Sequence, residues 1–247
     1  LRQLSAISDR WAWYGGSFVI TGAFGGLGLH AAGLLVECGA ATAKLSSRSG
    51  LIACNGQALQ EQINSLFAMA KTAIALVASD VGNRIEAQHL LADRAVAGVL
   101  HAAGVLRDKM LVSMTADHLE AVYGPKALAA SHLHCLSAHT PVQAMALFSS
   151  VASVIGAIGQ ANYAAANSYL DALALGRRLS GAFCSSLQIA AVRGAGMGAA
   201  AFGKEQLDAM GAMTLKEFMA CLSVSLSNAS GAADRIHVPL SPEMLRL

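Results

Sequence analysis

The stretch that most constrains the fold is a short apolar strand followed at once by a glycine-rich turn and a helix. Ser17–Thr21 reads SFVIT, and residues 22–28 read GAFGGLG. Apolar residues then recur at helical spacing from Leu29 to Val36, and Gly39 supplies a stop signal. In an open α/β sheet, this order brings glycine backbone and helix N-terminal amides against a pyrophosphate. A tight turn without a ligand is the alternative. The residues expected to contact a dinucleotide here are Thr21, Gly22, Phe24, Gly25, Gly26, Leu27 and Gly28.

Strand and helix patterns alternate along the rest of the chain. This alternation predicts a single α/β domain of Rossmann type, with a doubly wound, mainly parallel sheet of six to seven strands and helices on both faces. The further predicted strands are residues 43–46, 72–78, 96–101, 144–150, 185–191 and 235–238. We divide the chain into a lead-in (1–16), a Rossmann core with the active site (17–198), a helical lid region (199–231), and a last strand with a tail (232–247).

Composition excludes several classes of protein. Of the 247 residues 55% are hydrophobic and 13% are charged, but no apolar run reaches the roughly 18–20 residues of a membrane span. The first 20 residues lack the layout of a signal peptide, so we expect a cytoplasmic protein, or an organellar one if this is a fragment. A net charge of +2 does not favour nucleic acid. The five scattered cysteines favour buried free thiols, and the histidines at positions 132 and 134 face different ways on a helix, so no metal is expected.

The segments after the second and third strands bear on cofactor choice. Ser47, Arg48 and Ser49 follow the second strand, where an acid would select NAD. No acid is present, and arginine with hydroxyls suits a 2′-phosphate, which favours NADPH over the alternative of an ordinary exposed arginine. After the third strand, Asp80 and Val81 are expected at the adenine, although Asp80 could equally cap the next helix.

The fourth strand ends in His101 and opens into Ala102, Ala103 and Gly104, small residues that let a cofactor lie against the backbone. We place all four among the expected cofactor contacts. His101 could be an acid–base group, but a structural histidine at a strand end is the favoured interpretation.

The fifth strand and the helix after it carry the expected chemistry. Ser150 ends the strand, and Tyr163 and Asn167 lie four residues apart on one face of the helix. A tyrosine phenol at this sheet edge can act as a general acid if a nearby cation lowers its pKa from about 10. Earlier in the chain, Thr115 resembles an N-cap of a long helix to about residue 139, and Pro125 should kink that helix so that Lys126 can point inwards.

Motifs in this order and spacing are similar to those of a known family. They are TGAFGGLG (21–28), LSSRSG (45–50), SDVGN (79–83), HAAGVLRDKML (101–111), GPKALAASHLH (124–134), FSS (148–150) and GQANYAAANSYLDAL (159–173). The chain resembles, over residues 17–198, the catalytic half of a ketoreductase domain of modular polyketide synthases, within the short-chain dehydrogenase/reductase superfamily. In that superfamily a lysine usually stands four residues after the tyrosine. Here Asn167 stands there and the lysine is Lys126, an exchange that marks the synthase-type ketoreductases.

The resemblance implies NADPH-dependent reduction of a β-ketoacyl thioester carried on an acyl carrier protein, with neighbouring synthase domains. It implies that Tyr163 protonates the alkoxide, Ser150 hydrogen-bonds the same oxygen, Lys126 favours ionisation of the phenol, and Asn167 orients Lys126 or a water. Such domains usually carry a preceding structural half of comparable size, and we expect either that it was cut away here or that this is an unusually lean version. Ile189, Ala190 and Val192 replace the family's Trp-Gly region. A stand-alone 3-oxoacyl reductase of fatty acid type, or a redox-inactive structural or epimerising domain, is the alternative.

The resemblance also implies a stereochemical class. Asp108 lies eighteen residues before Lys126, where the family's D-producing (B-type) domains end a Leu-Asp-Asp motif, although Arg107 replaces the middle Asp. Ile155 stands where the other class has Trp, and Ile158 and Gln160 lack the Pro and His of epimerising domains. We therefore expect Asp108 and Met197 to orient the substrate, a D-hydroxyl product, and no α-epimerisation.

Overall fold

In the part of the chain that the structure describes, the sheet contains six parallel strands in the order β3-β2-β1-β4-β5-β6. The computed structural model describes residues 15–52, 56–69, 72–92, 96–138, 140 and 142–227. The strands are β1 (Ser17–Thr21), β2 (Thr42–Ser47), β3 (Ala73–Ala78), β4 (Val96–His101), β5 (Ala144–Ser150) and β6 (Cys184–Ile189). The prediction of a doubly wound α/β sheet is confirmed. The predicted strand at 235–238 lies outside the described residues, as do residues 1–14 of the lead-in.

Helices connect the strands and cover the sheet. They are α1 (Gly26–Glu37), α2 (Leu59–Met69), α3 (Arg84–Leu90), α4 (Ala116–Tyr123), α5 (Ala129–Ser137), α6 (Ala152–Ile155), α7 (Ala161–Leu179), α8 (Gly196–Ala201), α9 (Lys204–Ala209) and α10 (Leu215–Ser227). A 3-10 turn spans Leu111–Ser113, and a π-helical segment, Gly124–Leu128, joins α4 to α5. None of the described helices is long and apolar enough to cross a membrane.

Two apolar layers pack against the two faces of the sheet. Along β1, Phe18 and Ile20 point into one layer and Val19 into the other, as the two-residue period of a strand requires. Both faces of the central strands are therefore buried, which explains why these segments read as continuous apolar runs.

The region after β6 differs from the predicted helical lid. Phe218 and Leu222 of α10 are fully buried in the same layer as Phe18 and Ile20, so α10 belongs to the core. Within the predicted helical region, α9 ends at Ala209, and Gly211 adopts a φ of +63° that is incompatible with helical geometry. Residues 196–211 are therefore the part of the region that lies beside the cleft.

Four of the five cysteines lie within the described residues. Cys38, Cys135, Cys184 and Cys221 are all free thiols. Cys184 is buried, whereas Cys135 is exposed, so the expectation of burial is wrong for Cys135. Cys54 lies outside the described residues.

Candidate active site

A cleft of about 1270 Å³ opens at the carboxyl ends of the strands. The chain crosses from β3 back to β4 on the other side of β1, so neighbouring loops diverge between β1 and β4. This reversal of strand order is where open α/β sheets bind ligands. All but three of the predicted site residues line this cleft; the exceptions are His101, Asp108 and Asn167.

The turn after β1 has to be glycine at two positions. Gly22 has a φ of +67°, and a Cβ there would lie 2.5 Å from the backbone of Ala103. A Cβ on Gly28 would lie 2.5 Å from the carbonyl oxygen of Gly22. Gly25 precedes α1 without a capping side chain, and the first turn of α1 has no acid. The first amides of α1 therefore face the cleft without a side-chain acceptor, which fits a phosphate ligand.

The loop after β2 places Arg48 on the cleft wall. The hydroxyls beside it stabilise the loop: Ser47 Oγ accepts from the Gly50 amide at 3.1 Å, and Ser49 Oγ accepts from the Leu51 amide at 3.2 Å. Arg48 itself is exposed and forms no hydrogen bond or ion pair with any described residue. Its guanidinium is available to an anion in the cleft.

Asp80 and Val81 border the cleft at the end of β3. Asp80 Oδ1 accepts a 2.9 Å hydrogen bond from the Gly82 amide. The cap of α3 is instead Asn83, whose Oδ1 accepts from the Ile85 amide at 2.9 Å. The alternative that Asp80 caps this helix is therefore wrong, because Asp80 closes its own turn.

The segment after β4 forms the cleft floor. Ala102, Ala103 and Gly104 all line it, and a Cβ on Gly104 would lie 3.7 Å from Met197 Cε across the cleft. His101 does not line the cleft and is fully buried behind the floor. The prediction that His101 contacts the cofactor is therefore corrected, because its ring points into the protein.

Tyr163 and Ser150 face the cleft from α7 and β5. The pKa of Tyr163 is raised, chiefly because the phenol is buried, while the polar side chains of Asn167 and Ser150 act in the opposite direction. Desolvation outweighs these two side-chain effects, so the net shift is opposite in direction to the lowering expected from Lys126. The phenol therefore holds its proton at neutral pH, as a proton donor must.

The wide turn between α4 and α5 brings Lys126 to the cleft wall. Thr115 begins α4 as predicted, and Pro125 lies in the π-helical segment rather than at a simple kink. Lys126 is 3% exposed, and its Nζ donates a 2.7 Å hydrogen bond to the carbonyl of Phe148. The same Nζ lies 5.4 Å from the centre of the Tyr163 ring. Burial lowers the pKa of Lys126 to about 7, against a smaller rise from the Asp171 charge.

Asn167 lies beneath Tyr163 on α7 and is fully buried. Its Nδ2 donates a 2.8 Å hydrogen bond to the Tyr163 carbonyl. Its Oδ1 is buried and has no hydrogen-bond partner among the described residues. The hydrogen bond of Lys126 goes to Phe148, so this structure contains no hydrogen bond between Asn167 and Lys126. The unpaired Oδ1 can accept a hydrogen bond from a water molecule or from an ammonium group.

Asp108 lies at the mouth of the cleft and is exposed. Gln160 lines the cleft, and its Nε2 donates a 2.9 Å hydrogen bond to Asp108 Oδ2. The amide of Lys109 also donates to the Gly159 carbonyl at 2.8 Å, so the two loops are joined at this point. Asp108 is therefore held in place beside the entrance.

Comparison with known proteins identifies the family. The family model described as KR domain matches residues 16–194, which include β1 to β6 and the whole glycine turn. The chain belongs to the KR domain family. This confirms the resemblance expected from the motifs.

The relatives of this KR domain are much longer proteins. "Spectinabilin polyketide synthase system protein NorB" of Streptomyces orinoci is 38% identical over 225 residues, which is 89% of this chain and 10% of that protein. "Polyketide synthase GfsA" of Streptomyces halstedii is 45% identical over 177 residues, which is 70% of this chain and 2% of that protein. The solved "Structure of A1-type ketoreductase" superimposes with a TM-score of 0.78 at 30% identity, over 98% of this chain and 56% of that one.

Two features of the KR domain were not found from the sequence. The first is the backbone carbonyl of Phe148, which accepts the hydrogen bond from Lys126 Nζ. A pattern of side chains does not indicate which backbone carbonyl will accept such a bond. Asp171 accepts hydrogen bonds from Ser153 at 2.6 Å and from Gln188 at 2.8 Å, and its charge acts on Lys126. Asp171 could have been found, because it stands four residues after Asn167 and so extends the face of α7 that begins at Tyr163.

The residues in place of the family's Trp-Gly region also reach the cleft. Ile189, Ala190 and Val192 are buried and line it. All three side chains are smaller than that of tryptophan, so they fill less of the cleft than tryptophan would.

Proposed function

We propose that this KR domain reduces the β-keto group of an acyl thioester to a D-configured β-hydroxyl, with NADPH as cofactor. The observation that carries the proposal is the approach of Lys126 Nζ to 5.4 Å from the centre of the Tyr163 ring, in a cleft that Ser150 also lines. A buried phenol, a hydroxyl and an amine at one sheet edge can donate a proton to a carbonyl oxygen and stabilise the charge that develops on it.

The cofactor is proposed to be NADPH. The glycine turn with Thr21, Phe24 and Leu27 would hold the pyrophosphate, and Ser47, Arg48 and Ser49 the 2′-phosphate. Asp80 and Val81 would border the adenine, and residues 102–104 the ribose and nicotinamide. When bound, this cofactor supplies the hydride that reduces the ketone carbon.

Tyr163 is proposed as the general acid. Its raised pKa keeps the phenol protonated before reaction, and Ser150 donates a second hydrogen bond to the substrate oxygen. As the proton leaves, negative charge appears on the phenol oxygen. The ammonium of Lys126 stabilises that charge from within the same desolvated site, where a cation acts strongly. Asn167 offers its unpaired Oδ1 to the group that returns the proton.

The substrate is proposed to arrive on an acyl carrier protein within a larger synthase. This rests on the relatives, which are polyketide synthases by name and of which this chain spans 2–10%. The D-configuration rests on Asp108 at the entrance and on Ile155 in place of tryptophan. Overall backbone similarity does not favour it, because two of the similar solved structures are described as A1-type and A-type ketoreductases.

Turnover tests the proposal directly. The protein should oxidise NADPH when given a simple β-ketoacyl thioester or a decalone surrogate. Equilibrium binding of NADPH is measured in parallel. Binding without turnover of either substrate would refute the reductase and favour a redox-inactive domain, whereas turnover of free or CoA-linked chains in preference to carrier-bound chains would favour a stand-alone reductase.

A further inference from the structure

The side chain of His101 links β1, the strand before the glycine-rich turn, to the backbone of Lys126. Its Nδ1 lies 2.7 Å from Thr21 Oγ1, and its Nε2 lies 2.9 Å from the carbonyl oxygen of Lys126. His101 and Thr21 are 0% and 1% exposed. The ring therefore spans from β1, through the end of β4, to the π-helical segment, without contact with solvent.

The partners fix the protonation of this ring. A backbone carbonyl only accepts hydrogen bonds, so Nε2 carries the hydrogen and donates it to Lys126. Burial lowers the pKa of His101 to about 4; the hydrogen bond to the Lys126 carbonyl acts against this and the Lys126 charge adds to it, so the ring is neutral at physiological pH. Nδ1 is then an acceptor, and it receives the hydroxyl hydrogen of Thr21. The Lys126 carbonyl thus accepts from His101 Nε2 and also from the backbone amide of Ala129.

Lys126 is consequently held at both of its ends. Its carbonyl is fixed by His101, and its ammonium by the Phe148 carbonyl at 2.7 Å. Between these points the side chain runs beneath Gly104, where an added Cβ would lie 3.4 Å from Lys126 Cε. A lysine side chain has four rotatable bonds, and its reach is reproducible only where its backbone is fixed. The π-helical segment departs from regular α-helical bonding, which makes an external partner for its backbone more valuable.

We propose that His101 is a positioning residue that holds Lys126 in place for proton transfer by Tyr163, and that couples this placement to Thr21 at the cofactor turn. The inference rests on the proposed function, and it assigns to His101 a role other than cofactor contact. Its ring touches neither the cleft nor Tyr163, so it acts through Lys126.

Two variants of similar size separate this role from general structural support. The amide nitrogen of His101→Gln reaches the position of Nε2 and can still donate to Lys126, whereas that of His101→Asn reaches only the position of Nδ1, towards Thr21. We expect kcat to fall about 10- to 100-fold in His101→Asn, and clearly less in His101→Gln, because small misplacements of catalytic groups have effects of this size. KM should change little in either variant. The control Thr72→Val removes another buried hydrogen bond, 2.7 Å from its hydroxyl to the Ala40 carbonyl beside the far edge strand, and should leave kcat unchanged.

A second measurement does not depend on turnover. With lysine labelled by ¹³C at Cε, NMR titration reports the pKa of Lys126, assigned from the spectrum of Lys126→Arg. In His101→Asn the pKa of Lys126 should rise towards its ordinary value, because a released side chain regains water. It should stay near that of the wild type in His101→Gln and Thr72→Val. Equal kcat values and titrations for the Asn and Gln variants would overturn the proposal. Failure of the wild type to turn over would instead refute the reductase function and leave the titration to judge His101.

Discussion

The ammonium group of Lys126 donates its hydrogen bond to the backbone carbonyl of Phe148, two residues before Ser150. The distance of 2.7 Å is short, and the acceptor carries no formal charge. The cation is thereby placed at the end of β5, beside the two groups proposed to touch the substrate oxygen. It keeps its charge unneutralised by any carboxylate in direct contact among the described residues, and that charge can act on the phenolate that forms during proton transfer.

Removal of the Tyr163 hydroxyl should abolish most of the activity. Tyr163→Phe should lower kcat at least about 100-fold, the lower range for loss of a general acid, while NADPH binding and thermal stability persist. Tyr169→Phe is the matched control, since this residue lies on the same helix with its ring 6.4 Å from that of Tyr123, and it should retain activity. A Tyr163→Phe enzyme as fast as the wild type would remove Tyr163 from the mechanism.

The rate of reduction should decline as pH rises through about 7. Burial lowers the pKa of Lys126 to about 7, so the ammonium is lost above that pH, while the raised pKa of Tyr163 keeps the phenol protonated. We expect kcat to follow the protonated fraction of Lys126. Steady-state kinetics at saturating substrate, from one pH unit below to about two units above this value, would test it. A flat profile would show that the charge of Lys126 does not assist the chemical step.

The same pKa makes a prediction about stability. Lys126 titrates near 7 when folded and near 10.5 when unfolded, so between these values the unfolded state binds more protons and stability rises with pH. Relative to Lys126→Met, the free energy of unfolding of the wild type should increase by on the order of 4 kcal/mol across this window. Urea denaturation at both ends would measure it. Lys109→Met, which alters an exposed lysine, should show no such pH-dependent difference.

Cofactor selectivity should depend on Arg48. Arg48→Ala should weaken NADPH binding about 10- to 100-fold, the value of a charge-assisted hydrogen bond or two, and leave the affinity for NADH nearly unchanged. Dissociation constants for both cofactors provide the measurement, and Arg84→Ala, which changes an exposed arginine outside the cleft, is the control. Equal affinities of the wild type for NADPH and NADH would mean that Arg48 does not recognise a phosphate.

Product configuration should report on Asp108. Chiral chromatography of the product from an unbranched β-ketoacyl thioester should show mainly the D-hydroxyl. Asp108→Ala should reduce that excess, because the loop held by Gln160 at 2.9 Å would lose its anchor at the entrance. Asp117→Ala, an exposed acid in the first turn of α4, should not reduce it. A mainly L-hydroxyl product from the wild type would refute the assignment.

The sheet and most of the cleft could be predicted because their signals are local. An apolar run followed by glycines, as at Thr21 and Gly22, predicts both a strand and the loop at its end. Tyr163 and Asn167 could be placed on one helix face from their spacing alone. The inward direction of Lys126 was suggested by Pro125, whose missing amide interrupts the helix.

What could not be predicted depends on contacts between distant segments. His101 and Lys126 are 25 residues apart, and their hydrogen bond follows from the packing of β4 against the π-helical segment. The raised pKa of Tyr163 results from burial, which the sequence does not reveal for a polar residue. Asn83 caps α3, and Asp80 does not, because the Asp80 carboxylate accepts its hydrogen bond from the nearby amide of Gly82.

The π-helical segment has a consequence for how this protein can vary. The segment contains about one residue more than an α-helical turn that would span the same distance. The helices on either side are therefore out of phase by about one residue, or roughly 100°. Deletion of Pro125 would remove both the extra residue and the missing amide, and would favour an unbroken α-helix of greater intrinsic stability. The same deletion would swing the amine of Lys126 away from β5 and towards another face. Insertions or deletions in this segment should therefore impair activity far more than substitutions on its exposed surface.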